Sequence, residues 1–508
     1  MAKVVQCQTF DGRRVEFIDE VIGSGAMKDV YFSPDKSYVV CFFSKEKNKF
    51  YDSPADFERQ KDRLKEIVGN KWQGIFQSVG GDYWKNLFCW PDGLLEHHGL
   101  LGITAPTYQK HFFFAVGSKN NDFLGIKGKE KEGKWFASAN NQNRFLDESE
   151  KGTWLNYLKI SLLIARGVRR MHAAGLAHSD LSYKNILIDP VSGSACVIDV
   201  DGLVVPGKYP PDVVGTPDFI APEVVMTNHL KKDDPQRHLP NIMTDRHALA
   251  VLIYMYLLYR HPLRGGKVHD LNDPQRDENL AMGEKALFIE HPSDATNRVK
   301  VQQIKPSALP WGDPAQMPFT VTGPYLKELF LQSFVTGLHQ PNQRPSANDW
   351  ETALVKTVDL LQPCLNTKCQ QKWYVFDNTK QPVCPFCQTA FKGKLPVLNL
   401  YSSRKEGSFR PDNHRLMVWT GQSIYQWHAN NLIAPNERLT TEQTKRVGYF
   451  VYHQERWWLV NENLPELYDV SNKTTIPIGG KVELLDSKQI LLSKQDGGRL
   501  VVVQMVEC

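Results

Sequence analysis

The chain has 508 residues, 41% hydrophobic and 23% charged, with a formal net charge of +5. That length exceeds what one core organises, so roughly two to four domains are expected. The slight positive excess gives no case for nucleic acid or membrane surfaces as the main partner, and the ordinary apolar content argues against long disordered tracts.

The opening MAKVVQCQTFDGRR has no apolar signal core. Residues 10–45 alternate apolar and polar with glycine punctuation, which predicts strands and hairpins. Ser53 then caps a helix, with Pro54 in its first turn and Phe57, Lys61, Leu64 and Val68 on one face. Residues 85–116 read as strands again. Residues 118–152, rich in Lys, Asn, Gly and Glu, read as a solvated loop or insertion. Leu155, Leu158, Leu162, Ala165 and Val168 recur at the helical period and predict a helix from about Thr153 to Ala174. Two short strands follow, NILID and ACVID, joined by a turn from Pro190 to Gly193. From Ala221 to about Val358 the pattern is mainly helical. Its apolar stretch, Ala248 to Tyr259, is shorter than the roughly 20 residues of a membrane span and predicts a buried helix. A cysteine-rich segment runs from Leu361 to about residue 392, and residues 393–508 read as all-β. With no export signal and no membrane segment, a cytoplasmic protein is expected. The odd count of nine cysteines points to a reducing compartment and a metal site rather than a disulfide frame.

The segment HSDLSYKNILIDPVSGSACVIDVDG, His178 to Gly202, carries the chemistry. Phosphoryl transfer needs a carboxylate to receive a hydroxyl proton, and an amide and a second carboxylate to hold magnesium against phosphates. Asp180 and Asn185 sit on one loop, and the hairpin returns Asp199 beside them. Asp201 is a candidate second ligand. This order matches the catalytic loop and metal-binding motif of protein kinases. Downstream, GTPDFIAPE resembles the end of an activation segment. TDRHALA places Asp245 where kinases brace the catalytic loop, and PNQRPSANDW places Arg344 where it would pair with Glu223. Asp245, Glu223 and Arg344 are expected to be structural.

Four departures qualify the match. Ser179 replaces the arginine that normally reads an activation-loop phosphate, and residues 203–215 contain no Ser or Thr. Activity independent of phosphorylation there is expected, with Tyr209 its only hydroxyl side chain. Ser182 replaces the usual lysine, while Lys184 lies nearby and is assigned to the catalytic group. The Asp-Phe-Gly motif reads Asp199-Val200-Asp201. Finally, the nucleotide lysine is displaced. Gly23 and Gly25 fit a phosphate-covering Gly-rich loop, Lys28 takes its third glycine position, and Val30 follows. Register places Cys41 where the lysine belongs, so Lys28 is expected to serve from the adjacent strand, Lys45 being the alternative. This resembles the with-no-lysine kinases. Glu58 is favoured over Glu66 as the acid answering the lysine. Residues near Thr104 to Thr107, with Thr104, Ala105 and Thr107 singled out, are expected to offer backbone hydrogen bonds along the adenine pocket.

Cys364, Cys369, Cys384 and Cys387 form two close pairs that could meet one Zn²⁺ tetrahedrally, a closed and therefore structural site. In the last segment, IPIGGKVELLDSKQILLS resembles the final strands of forkhead-associated phosphopeptide-binding domains. A β-sandwich that binds partners without reading phosphate is the other reading.

The expected fold class is α+β. A bilobal protein-kinase-like domain spans 1–359, with lobes at about 1–104 and 109–359. A zinc ribbon at 360–392 and a β-sandwich at 393–508 follow. This order, with MKDVYFSPDKSYVV, resembles the bacterial kinases found with a von Willebrand A-type protein and a PP2C-type phosphatase in tellurium-resistance systems. The resemblance implies ATP- and Mg²⁺-dependent Ser/Thr phosphorylation of protein substrates, opposed by a dedicated phosphatase. A nucleotide-binding pseudokinase scaffold is the alternative.

Overall fold

The computed structural model describes residues 3–77, 80–205, 208–209, 215–231, 233–377, 381–405 and 407–507. Most of the activation segment expected to need no phosphate, residues 206–207 and 210–214, lies outside the described residues, as does Cys508. The chain divides into two compact units, one of residues 1–152, 159–316 and 330–348, the other of 153–158, 317–329 and 349–508.

In the first unit, strands β1 (Val4–Gln8) and β2 (Arg14–Ile18) form a hairpin. Strands β3 (Gly23–Ser24), β4 (Lys28–Phe32), β5 (Tyr38–Phe43), β6 (Gly93–His97) and β7 (Leu100–Pro106) make an antiparallel sheet of order β3-β4-β5-β7-β6. Helix α1 (Pro54–Glu66) starts where the Ser53 hydroxyl accepts from the Asp56 backbone N–H. It buries Leu64 and, less expectedly, Arg63. Gly81–Leu87 is helical and runs into the stretch from residue 85 where strand was expected. Trp84 and Leu87 are buried one turn apart, so its aromatic content serves a helical face and not a pleat.

Helix α2 (Trp154–Ala173) precedes the hairpin of β8 (Ile186–Asp189) and β9 (Ser194–Val197). The insertion before α2 is pinned to β8 by Lys131, whose ammonium reaches Glu150 at 3.0 Å and Asp189 at 2.8 Å. Helix α3 (Ile242–Leu258) is buried from Ala248 to Leu258 and opens on a capping box between Asn241 and Thr244. Among the described residues no helix is long and apolar enough to cross a membrane.

The second unit contains most of helix α4 (Ala347–Asp359) and the short hairpin of β10 (Leu361–Pro363) and β11 (Trp373–Val375) among the clustered cysteines. Beyond it run β12 (Lys394–Lys405), β13 (Ser408–Met417), β14 (Ser423–Tyr425), β15 (Arg446–His453), β16 (Arg456–Asn461), β17 (Tyr468–Asp469), β18 (Thr474–Thr475), β19 (Lys481–Glu483), β20 (Gln489–Leu491) and β21 (Arg499–Glu507). They form a six-stranded sheet, β13-β12-β21-β20-β17-β18, and a four-stranded sheet, β14-β15-β16-β19. Leu398, Leu400, Val501 and Val503 of one sheet share a core with Ile424, Phe450, Leu459 and Val482 of the other. His428 and Asn461, the two residues that vaguely echo forkhead-associated landmarks, both make structural bonds. His428 faces Asp359, and the Asn461 amide donates to the Leu464 and Ile476 carbonyls.

Candidate active site

β4 pairs with β5 in the register Val30 to Cys41, and β5 with β7 as Cys41 to Ile103 and Val39 to Ala105. Directly opposed side chains share a face, and alternate residues along a strand return to it. Lys28, Val30, Cys41, Ile103 and Ala105 therefore line one cleft of about 380 Å³, closed below by Asn185, Asp199 and Asp201. The size suits a small-molecule site. Gly23 lines it too, while Gly25 makes the tight turn by donating its N–H to the Lys28 carbonyl at 2.8 Å. Thr107 lies on the cleft wall with Pro106 and Tyr108.

Lys28 is the one cation among the described lining residues. Its Nζ donates to Asp199 Oδ1 at 2.9 Å and to both oxygens of Asp201 at 2.7 and 2.8 Å. Burial disfavours the ammonium, but Asp201 and Asp199 outweigh it and hold Lys28 above its ordinary value. The Lys28 charge in turn draws the Asp199 carboxyl below the usual carboxylate range. Burial pushes the Cys41 thiol up to about 12, so Cys41 brings no charge to the cleft. Lys45 lies outside the lining set, with its ammonium 5.9 Å from the Tyr51 ring centre.

Asp180 is held by three donors. The Thr216 N–H and hydroxyl reach its Oδ1 at 2.7 and 2.9 Å, and the Asn185 amide reaches its Oδ2 at 3.0 Å. The loop carrying Asp180 is braced by Asp245, which accepts from the His178 N–H at 2.7 Å and the Ser179 N–H at 3.1 Å. Ser179 has φ 69°, a left-handed conformation costly for a non-glycine residue, and the Asp245 bonds help offset it. Glu223 and Arg344 form a bidentate pair at 2.8 and 2.7 Å. The remaining Arg344 donors go to the Gly337, Met243 and Leu338 carbonyls, so all five N–H groups of this buried guanidinium are satisfied. Lys184 is exposed and lies outside the cleft lining.

Two expectations need correction. Thr104 does not face the cleft. Strand alternation turns it to the far side, where its hydroxyl donates to Asp92 at 2.6 Å and accepts from Arg13 at 2.7 Å. Glu58 does not answer Lys28. It is exposed and faces Lys61 at 3.5 Å. The α1 residue that reaches the Asp199–Asp201 segment is Arg63, about 140° further round the helix. Its guanidinium donates to the Gly202 carbonyl and, at 3.2 Å, to that of Leu203. Sequence reasoning missed Arg63, since basic residues on helices are normally solvated. It also passed over Thr216, although the quoted GTPDFIAPE contains it.

In the second unit the sulfurs of Cys364, Cys369, Cys384 and Cys387 lie within 4.8 Å of one another. Two of their separations, 3.4 and 3.9 Å, bracket the roughly 3.8 Å edge of a tetrahedron with metal–sulfur bonds near 2.3 Å. The donor set fits a closed metal site.

A protein kinase domain model matches residues 132–372. Among curated proteins, the dual serine/threonine and tyrosine protein kinase of Apis mellifera is 33% identical over 73 residues, 14% of this chain and 7% of that protein. Myosin light chain kinase family member 4 of Homo sapiens is 26% identical over 217 residues, 41% of this chain and 51% of that one. Death-associated protein kinase dapk-1 of Caenorhabditis elegans is 29% identical over 123 residues, 24% and 8%. The chain thus spans at most about half the length of these relatives. The match and the arrangement around Asp180 agree: this chain carries a protein-kinase-superfamily domain, with the sequence features of a phosphotransferase and a fold that in general uses ATP and Mg²⁺.

Proposed function

We propose that the chain is a protein kinase that transfers the γ-phosphate of ATP to Ser or Thr hydroxyls of itself or of partner proteins. The observation that carries this reading is the convergence of Lys28, Asn185 and Asp199 on one cleft, with Asp180 bonded to Asn185. ATP with magnesium, when bound, supplies the phosphoryl group. Asn185 and Asp199 would hold the metal, and Lys28 the phosphates, because the cleft has no other described cation to compensate them. Asp180, its carboxylate aimed by Thr216 and Asn185, would take the acceptor hydroxyl's proton. Lys184, exposed beside it, would act near the transferred phosphate. Ala105 and Thr107 would flank the adenine, with Gly23 and Val30 above it. Ser179 in place of arginine supports activity without a phosphate on the activation segment.

The same reading assigns residues 1–359 to the kinase, 360–392 to a ribbon holding one structural Zn²⁺, and 393–508 to a β-sandwich, either of forkhead-associated type or one that binds partners without reading phosphate. A PP2C-type phosphatase, a von Willebrand A-type partner, a bacterial metal-resistance role and a cytoplasmic location rest on the family resemblance alone.

The test is incubation of the purified chain with labelled ATP and Mg²⁺, with products mapped by mass spectrometry. Label on Ser or Thr, lost when EDTA removes the metal, is expected from protein unmodified at Tyr209. Nucleotide binding without transfer to any residue or added protein would overturn the reading in favour of a scaffold.

A further inference from the structure

We propose that Asp201 is the counter-ion that positions Lys28, a part that an acid on α1 was expected to take. Asp201 is therefore a positioning residue, and Asp199 alone of the two acids is left for the metal. The inference rests on the reading of Lys28 as the phosphate-binding lysine.

Asp201 is 7% exposed and gives both carboxylate oxygens to the Lys28 ammonium. The side chain of Asp199 is 52% exposed and gives it one. A buried carboxylate stripped of its cation is strongly disfavoured, so Asp201 is bound to stay with the lysine. Asp199, open to solvent, is free to turn to another cation. The acids of α1 face other cations: Asp56 faces Arg59, Glu58 Lys61, Asp62 Lys65 and Glu66 Lys208. What ties α1 to this segment is Arg63, bonded to the two carbonyls that directly follow Asp201. The Lys28 ammonium is thus bonded to Asp199 and Asp201, and α1 meets this pair through the backbone that follows Asp201.

Competitive acetylation of the nucleotide-free, Mg²⁺-free protein with acetic anhydride tests this, read as the rate at Lys28 relative to Lys45 by peptide mass spectrometry. Asp201→Asn removes the carboxylate that holds the Lys28 ammonium with both oxygens, so the released side chain is acetylated several-fold faster relative to Lys45. Asp201→Glu restores the native rate, and Glu58→Gln and Glu66→Gln leave it unchanged. An unchanged Lys28 rate in Asp201→Asn, together with a raised Mg²⁺ requirement for nucleotide binding, would make Asp201 a metal ligand and overturn the proposal. Should Asp201→Asn fail to fold, Lys28→Met/Asp201→Asn must fold as well as Lys28→Met alone, because the pair is removed together. A double variant that fails where Lys28→Met folds overturns it as well. Absence of phosphoryl transfer by the native chain would instead defeat the proposed function and leave the acetylation result standing.

Discussion

Three donors converge on the Asp180 carboxylate, two from Thr216 and one from Asn185. They fix its direction without burying it, as a proton acceptor requires. Asp180→Ala is expected to lower initial rates of phosphoryl transfer by about 10²–10⁴. Nucleotide affinity should be retained, since Val30, Cys41, Ile103 and Ala105 form the cleft wall independently of Asp180. Equal rates in variant and native protein would remove Asp180 from the mechanism. The neighbouring question is which lysine meets the phosphates. Lys28→Met should abolish transfer, because it removes the one described cation of the cleft and leaves Asp199 and Asp201 facing each other unneutralised. Lys45→Met should be mild, since Lys45 packs by Tyr51 outside the lining set. The reverse ranking of the two variants would return the lysine to the strand where kinases usually carry it.

Among the elements, the tie between Glu223 and Arg344 is the most exacting. Glu223→Ala leaves a fully buried guanidinium without its acid, and breaking such a pair costs about 3–5 kcal/mol. The urea midpoint should fall accordingly, and a shift within error would show that solvent reaches Arg344 after all. The cysteine hairpin makes a second prediction. Elemental analysis should find about one zinc per chain, and a chelator should loosen β10 and β11, which lie among the four metal-ligating cysteines. A metal-free ribbon that keeps its protease resistance would contradict it. Both features were legible in sequence because each rests on a local spelling, Ala-Pro-Glu with a later arginine, or paired cysteines. The β4 and β5 register was legible for the same reason: apolar alternation is short-range. Thr104 shows the limit, since a slip of one residue moves a side chain to the other face and the sequence of β7 is apolar enough to allow either. Arg63 was not legible at all. Its partners are the Gly202 and Leu203 carbonyls, more than a hundred residues away, and helical periodicity marks which residues are apolar, not which charge will find buried carbonyls.

For the whole molecule, acid should be the sensitive side, and the reason lies in histidines spread over both units. In the first, His247 and His261 are buried, and burial lowers both, His261 to about 4. The hydrogen bonds of His261 agree with a neutral ring. Its Nε2 donates to the Asp218 carbonyl at 2.8 Å while its Nδ1 accepts from the Leu263 N–H at 3.1 Å, leaving no room for a second ring proton. In the second unit, burial lowers His414, and its bond to Asp359 only partly opposes that. A group whose pKa is lower in the fold than in the unfolded chain favours folding above the unfolded value, near 6.5 for histidine, and the benefit fades as pH falls toward the folded value. Each such histidine contributes a slope of about 1.4 kcal/mol per pH unit between those limits. Stability should therefore be flat above about pH 7 and fall steadily from about pH 6.5 to 4, before most carboxylates titrate. Thermal unfolding followed across that range checks it, with His261→Gln flattening the first unit's share of the slope. An unfolding midpoint that holds constant or rises between about pH 7 and 5 would mean that these rings are charged in the fold, and that the neutral arrangement around Asp218 is wrong.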